Sequence, residues 1–226
     1  MSLVFTEQAD VWLGRITVGV ILLAILGLAG LYYYGPPEYT RVGYAPVQPV
    51  AFSHAQHVGQ LGMSCLYCHF NVEESPHANI PPTQTCITCH SLIKPDSPKL
   101  AVVQASWKSG DPIHWVRVHK TPDFVYFNHA VHVRRGIGCE SCHGKINEMP
   151  VVVHDQPLSM RWCLDCHRHP EDHLRPVQDA TKMGWSPPGG RSQHEFGLYL
   201  KGVRGSLLYN ESYKIRAPEQ CGGCHR

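Results

Sequence analysis

Residues 127–143 read FNHAVHVRRGIGCESCH, and residues 52–69 read FSHAQHVGQLGMSCLYCH. Both have the form F-x-H-A-x-H-V, then a spacer of five or six positions, then C-x-x-C-H. The closing pentapeptide occurs five times: Cys65/Cys68 with His69, Cys86/Cys89 with His90, Cys139/Cys142 with His143, Cys163/Cys166 with His167, and Cys221/Cys224 with His225. All ten cysteines of the chain are used this way. Two thiols two residues apart add across the vinyl groups of a haem, and the adjacent histidine takes one axial position on the iron. The pattern specifies five covalently bound haems c, with those five histidines as proximal ligands.

A single CxxC is as often half of a zinc site or a thioredoxin-like redox pair. Zinc cages would need the pairs to combine in fours, and five motifs leave a remainder. With histidine at 16 of 226 residues, chance placement of one after all five pairs has odds of about 10⁻⁶. No cysteine is left for a disulfide or a nucleophile.

The chain carries twenty glycines and eighteen prolines in 226 residues, and its formal net charge is +2. That charge gives no reason to expect nucleic-acid binding. Glycine and proline punctuation favours loops over long elements, so such a chain buries little apolar surface by itself. The expected fold is short α-helices and loops wrapped around haems, with one transmembrane helix at the N-terminal end.

That helix is read from ITVGVILLAILGLAGLYYY, residues 16–34, an uncharged run of bilayer-spanning length. Trp12 and Arg15 flank one end, Tyr32, Tyr33 and Tyr34 form an aromatic belt at the other, and Pro36 and Pro37 stop the helix. A cleaved signal peptide is the rival reading. The length of the run, and of the segment before it, favours a retained anchor. Haem attachment takes place outside the cytoplasmic membrane, so the expectation is a single-pass protein of a bacterial cytoplasmic membrane with its haem region in the periplasm. The layout is then a short cytoplasmic terminus (1–12), a transmembrane helix (13–34), a linker (35–48), a four-haem region (49–176) and an extension with the fifth site (177–226). Residues 168–220 hold no attachment site and read as a surface-hugging extension or docking arm.

Five irons need five distal ligands. His54/His57 and His129/His132 are spaced i, i+3, which puts both rings on one face of a helical turn. Each iron has one free axial position, so the members of a pair must serve different irons and hold two haems close together. The fifth ligand is His119 or Met160, methionine being an axial partner that raises haem potential. His77, His114, His154, His169, His173 and His194 remain over.

FSHAQH…CLYCH, PPTQTCITCH, WVRVHKTPDFVYFNHAVH…CESCHG and PLSMRWCLDCHR together resemble the class III, c3/c7-like, multihaem cytochromes. More narrowly, they are similar to the pentahaem subunit of alternative complex III, a bacterial quinol:electron-acceptor oxidoreductase. The resemblance is strongest over residues 49–176. It implies that His54 binds the haem of His69 and His129 that of His143, while His57 and His132 cross to other haems. It also implies membrane-embedded quinol-oxidising and iron–sulfur partner subunits, with a downstream cytochrome c or oxidase as acceptor. The chain itself would conduct electrons without catalysing a reaction alone.

Two alternatives stand beside this. One is the cytochrome subunit of a molybdopterin oxidoreductase complex. The other is a haem enzyme such as a nitrite reductase, which needs an iron with an open position; the histidine surplus argues for saturated irons.

Overall fold

The computed structural model describes residues 7–35, 41–207 and 217–225. Pro36 and Pro37, together with residues 36–40 of the expected linker and 208–216 of the extension, lie outside the described residues.

Helix α1, Glu7–Tyr34, starts earlier than the charge-free run, because Glu7 and Asp10 do not interrupt helical hydrogen bonding. Its apolar portion, Val11–Tyr34, spans 24 residues and is packed against nothing. At 1.5 Å per residue that is about 36 Å, enough for a bilayer core of about 30 Å. Length and apolarity suit a membrane anchor and a signal sequence alike.

The rest is short helices and loops; among the described residues the only β-pairings are the isolated bridges Val125–His225 and Ile137–Leu174. After a π-helical turn, Ala55–Gln60, come α2 (Cys65–Cys68), α3 (Thr83–His90), α4 (Ala101–Ser109), α5 (His129–Arg134), α6 (Glu140–His143), α7 (Met160–Arg168) and α8 (Gln193–Leu207). The fifth attachment site lies on a 3₁₀ turn, Cys221–Gly223. Side-chain caps set three of the starts: Ser64 Oγ accepts from Leu66 N–H, Asn128 Oδ1 from Val131 N–H, and Ser159 Oγ from Trp162 N–H.

Distal motif and attachment motif are separate elements in both copies of the repeat. Gly62 (φ +67°) and Gly136 (φ +79°) each stand three residues before the first cysteine, in the left-handed region that glycine enters without steric cost. They turn the chain so that the CxxCH segment folds back against its own distal motif.

Only ten hydrophobic residues are buried among those described, and six of them form two small clusters. Leu174, Phe196 and Leu200 pack with Ile137 and Trp185. Val72, Val133 and Ala180 pack with Leu66 and Ala78. The first cluster changes the reading of residues 168–220. The described residues of this stretch up to 207 pack into the molecule: Leu174 is fully buried, and α8 packs on the 3₁₀ turn Pro170–Asp172, with Gly197 directly against the Glu171 carbonyl. Across 176/177, Ala180 O accepts from Cys139 N–H at 3.0 Å, tying the extension to the third attachment site. Its apolar residues are few and spread between polar ones, so the pattern did not announce a core.

Candidate haem sites

The two repeats fold alike around their distal histidines. Phe52 stacks on His57 at 4.3 Å and meets His54 edge-on at 4.9 Å. Phe127 stacks on His132 at 4.4 Å and meets His129 edge-on at 4.8 Å. The phenylalanine of the motif is thus the wall that fixes both imidazole orientations.

Hydrogen bonds then decide which ring nitrogen is available. Nδ1 of His57 bonds Ser53 O at 2.9 Å, His69 bonds Asn79 O at 2.6 Å, and His90 bonds Ile93 O at 2.9 Å. His129 bonds Pro76 O at 2.8 Å, His132 bonds Asn128 O at 2.7 Å, and His167 bonds Pro218 O at 2.6 Å. A carbonyl can only accept, so each Nδ1 carries the proton and each Nε2 keeps its lone pair. This is how a second partner prepares an imidazole to bind a metal.

Ring separations say which imidazoles face each other. A metal–imidazole bond of about 2 Å on each side, plus a little over 1 Å from nitrogen to ring centre, puts trans rings about 6 Å apart. His57–His90 lie at 6.2 Å, His129–His143 at 6.4 Å and His132–His167 at 6.2 Å. For His54, burial is followed by the charge of His69 as the cause that disfavours its protonated form. His119 lies only 4.4 Å from His143, too close to share an iron with it, and packs edge-on against that ring. Beside His225 stands Phe124, at 5.4 Å. Met160 opens α7 with 63% of its surface exposed.

Buried nitrogens without protein partners mark where the chain expects another atom. Nδ1 of His54 and His143, Nε2 of His119, and both ring nitrogens of His154 are of this kind. Leaving such groups unpaired costs about 1–3 kcal/mol each; of these atoms, Nε2 of His119 and of His154 are the ones that correspond to the nitrogen the other histidines keep free for a metal. His154 was not singled out in the sequence. It is fully buried and 5.4 Å from His119. Its only sequence signal is position, directly after Val151, Val152 and Val153.

Burial also keeps His54, His119 and His143 neutral. His54 is pushed down to about 4 by burial, then by His69, His57 and His119. His119 falls to about 4 through burial and then His154, although a backbone hydrogen bond with Val153 opposes this. His143 falls to about 3 by burial, followed by His119, His129, His69 and His154. Neutral imidazole is the form that ligates.

The thiols respond in the opposite sense. Burial and then Cys166, Cys163 and Cys139 raise Cys142 to about 12. Burial, then Cys65, raises Cys139 to about 11, and burial, then Cys163, raises Cys166 to about 11. Cys68 rises through burial and its neighbour Cys86, and Cys163 through burial and its neighbour Cys224. No group of three or more His, Cys, Asp or Glu side chains converges as a lone-ion site among the described residues.

Residues 125–226 match the family described as cytochrome c7 and related cytochrome c. Over 97 residues the chain is 39% identical to the multihaem cytochrome c subunit of menaquinone reductase from Nitratidesulfovibrio vulgaris; this covers 42% of the chain and 45% of that relative. Over 61 residues it is 36% identical to cytochrome c-552 of Porphyromonas gingivalis, covering 24% of the chain and 12% of the relative. The chain thus spans less than half the length of either relative. The c7-like match covers the C-terminal part of the chain; together with the CxxCH pairs it implies covalent haem c, in a fold of short helices and loops.

Proposed function

We propose that this chain is a membrane-anchored, five-haem electron conduit that carries electrons from quinol-oxidising partner subunits to a downstream cytochrome or oxidase, within a complex of the alternative complex III kind. The observation that carries this is the set of three facing histidine pairs, 6.2–6.4 Å apart, two of which, His57–His90 and His132–His167, join one repeat to the next attachment motif. The relative named as a menaquinone reductase subunit supports quinol as the upstream donor.

The five cysteine pairs hold the haems, His69, His90, His143, His167 and His225 are the proximal ligands, and His54, His57, His129 and His132 are the distal ligands of the first four sites. His119 packs against His143 at 4.4 Å, beside the third site, and the Met160 side chain lies largely in solvent, so neither is assigned to the His225 haem. Each haem, when bound, supplies a one-electron ferric/ferrous couple. The chain's own contribution is to fix orientation. Carbonyl acceptors hold the imidazoles in one tautomer, the two phenylalanines lock their rotation, and burial excludes protons. Helix α1 is the retained anchor, and the haem-bearing part lies on the periplasmic side.

The test is compositional and spectroscopic. Intact mass should exceed that of the polypeptide by five haems, and the ferric protein should be low-spin. Carbon monoxide should bind at no more than one haem of the reduced protein, and mild detergent should co-extract quinol-oxidising subunits. Fewer than five haems, or several carbon monoxide molecules per chain, would contradict the reading.

A further inference from the structure

Resting on the five-haem reading above, we infer that the attachment sites are arranged in space in the order second, first, third, fourth, fifth, so that the second and fifth sites are the two ends of the row. Chain order would instead put the first site at one end.

Each junction has its own contacts. The second and first sites are joined by the π-helical turn, which sends His57 to His90 at 6.2 Å and His54 towards His69; Cys86 also neighbours Cys68. The first and third sites meet directly. Pro76 O, seven residues past His69, accepts from both the backbone N–H and Nδ1 of His129. Ser75 O accepts from Ala130 N–H at 3.2 Å. Residues 180–181 then bind both sites, Cys139 N–H to Ala180 O at 3.0 Å and Cys65 Sγ to Thr181 O at 3.6 Å.

Helix α5 joins the third and fourth sites, since His129 faces His143 and His132, one turn on, faces His167. The fourth and fifth sites are tied by His167 Nδ1 to Pro218 O at 2.6 Å and by Arg168 to Glu219 at 3.3 Å, with Cys224 beside Cys163. The duplication explains the inversion. In each repeat the first histidine serves its own site and the second serves the next. The two repeats are packed together through their first sites, so the leading one runs backwards along the row.

An independent observation agrees. Of the ten cysteines, only Cys89 and Cys221 are exposed, and they belong to the second and fifth sites. Electron transfer falls steeply with distance, so the exposed ends are where partners would exchange electrons with the row.

The experiment uses the holoprotein carrying His57→Met. Methionine ligation raises the potential of the second haem, so that haem alone can be reduced and made diamagnetic at a suitable poise. Electron paramagnetic resonance then reads which ferric haems lose a magnetic neighbour. The expected result is a change in one other haem, that of His69. Changes in two, the haems of His69 and His143, would overturn the order, and so would a variant lacking the methionine-ligated signature. Should the variant fail to mature, a density map of the wild-type holoprotein decides: the His69 iron must lie between those of His90 and His143. Haem count by mass separates the two failures. A protein with five haems and a different order refutes the order alone, whereas a protein with fewer refutes the conduit reading.

Discussion

Arg175→Ala is the perturbation whose cost follows most directly from the packing. The Arg175 side chain is 7% exposed and that of Glu140 20%, with Nη2 to Oε1 at 2.7 Å. Nη1 donates to Lys182 O at 3.0 Å, and the guanidinium lies 5.3 Å over Trp185. Glu140 Oε2 in turn accepts from Gly184 N–H at 2.8 Å. Arg175 thereby clamps α6, which carries half of the third attachment site, to the loop beneath it. Removing one partner of a buried pair typically costs about 3–5 kcal/mol, mostly because the other charge is stranded. Glu140 retains some solvent and its bond to Gly184, so the expected loss is about 2–3 kcal/mol. For a chain of this size that lowers the melting temperature by about 4–12 °C. The assay is thermal unfolding of the holoprotein followed by circular dichroism in the haem region. Glu140→Gln in the Arg175→Ala background should recover part of the loss, since it removes the stranded charge. A melting temperature unchanged within about 1 °C would refute the clamp.

Acid should destabilise the protein in a defined window. His54, His119 and His143 have native pKa values of about 4, 4 and 3, below the ordinary 6.5, so the unfolded chain binds protons first and stability falls as pH drops from 6.5 towards 3; melting temperatures that rise on acidification would contradict this. Gly197→Ala should loosen α8, because the new methyl meets the Glu171 carbonyl, whereas Gly202→Ala meets nothing within 4 Å and should be neutral or stabilising by up to about 1 kcal/mol; equal melting temperatures in the two variants would dismiss the close approach. Carbonate and high-salt washes should leave the protein in membranes if α1 is retained, and release by either wash would show that it is not.

Attachment chemistry was legible without any fold, because it is confined to five consecutive residues: two thiols and a histidine declare a haem wherever the chain goes. The duplication and the span of α1 were legible for the same reason, each being a pattern in contiguous sequence. The i, i+3 histidines could be said to serve two irons, since one iron has one free position, but not which two. Pairing His57 with His90 and His132 with His167 depends on where α3 and α7 pack. The buried His154 and the core around Leu174 arise from contacts between residues that no local pattern links. The inferred row of sites likewise rests on packing: Pro76 holding His129, and Ala180 and Thr181 bridging two motifs more than seventy residues apart. Local covalent chemistry assigns each attachment motif on the chain, and only long-range burial and hydrogen bonding bring one motif beside another.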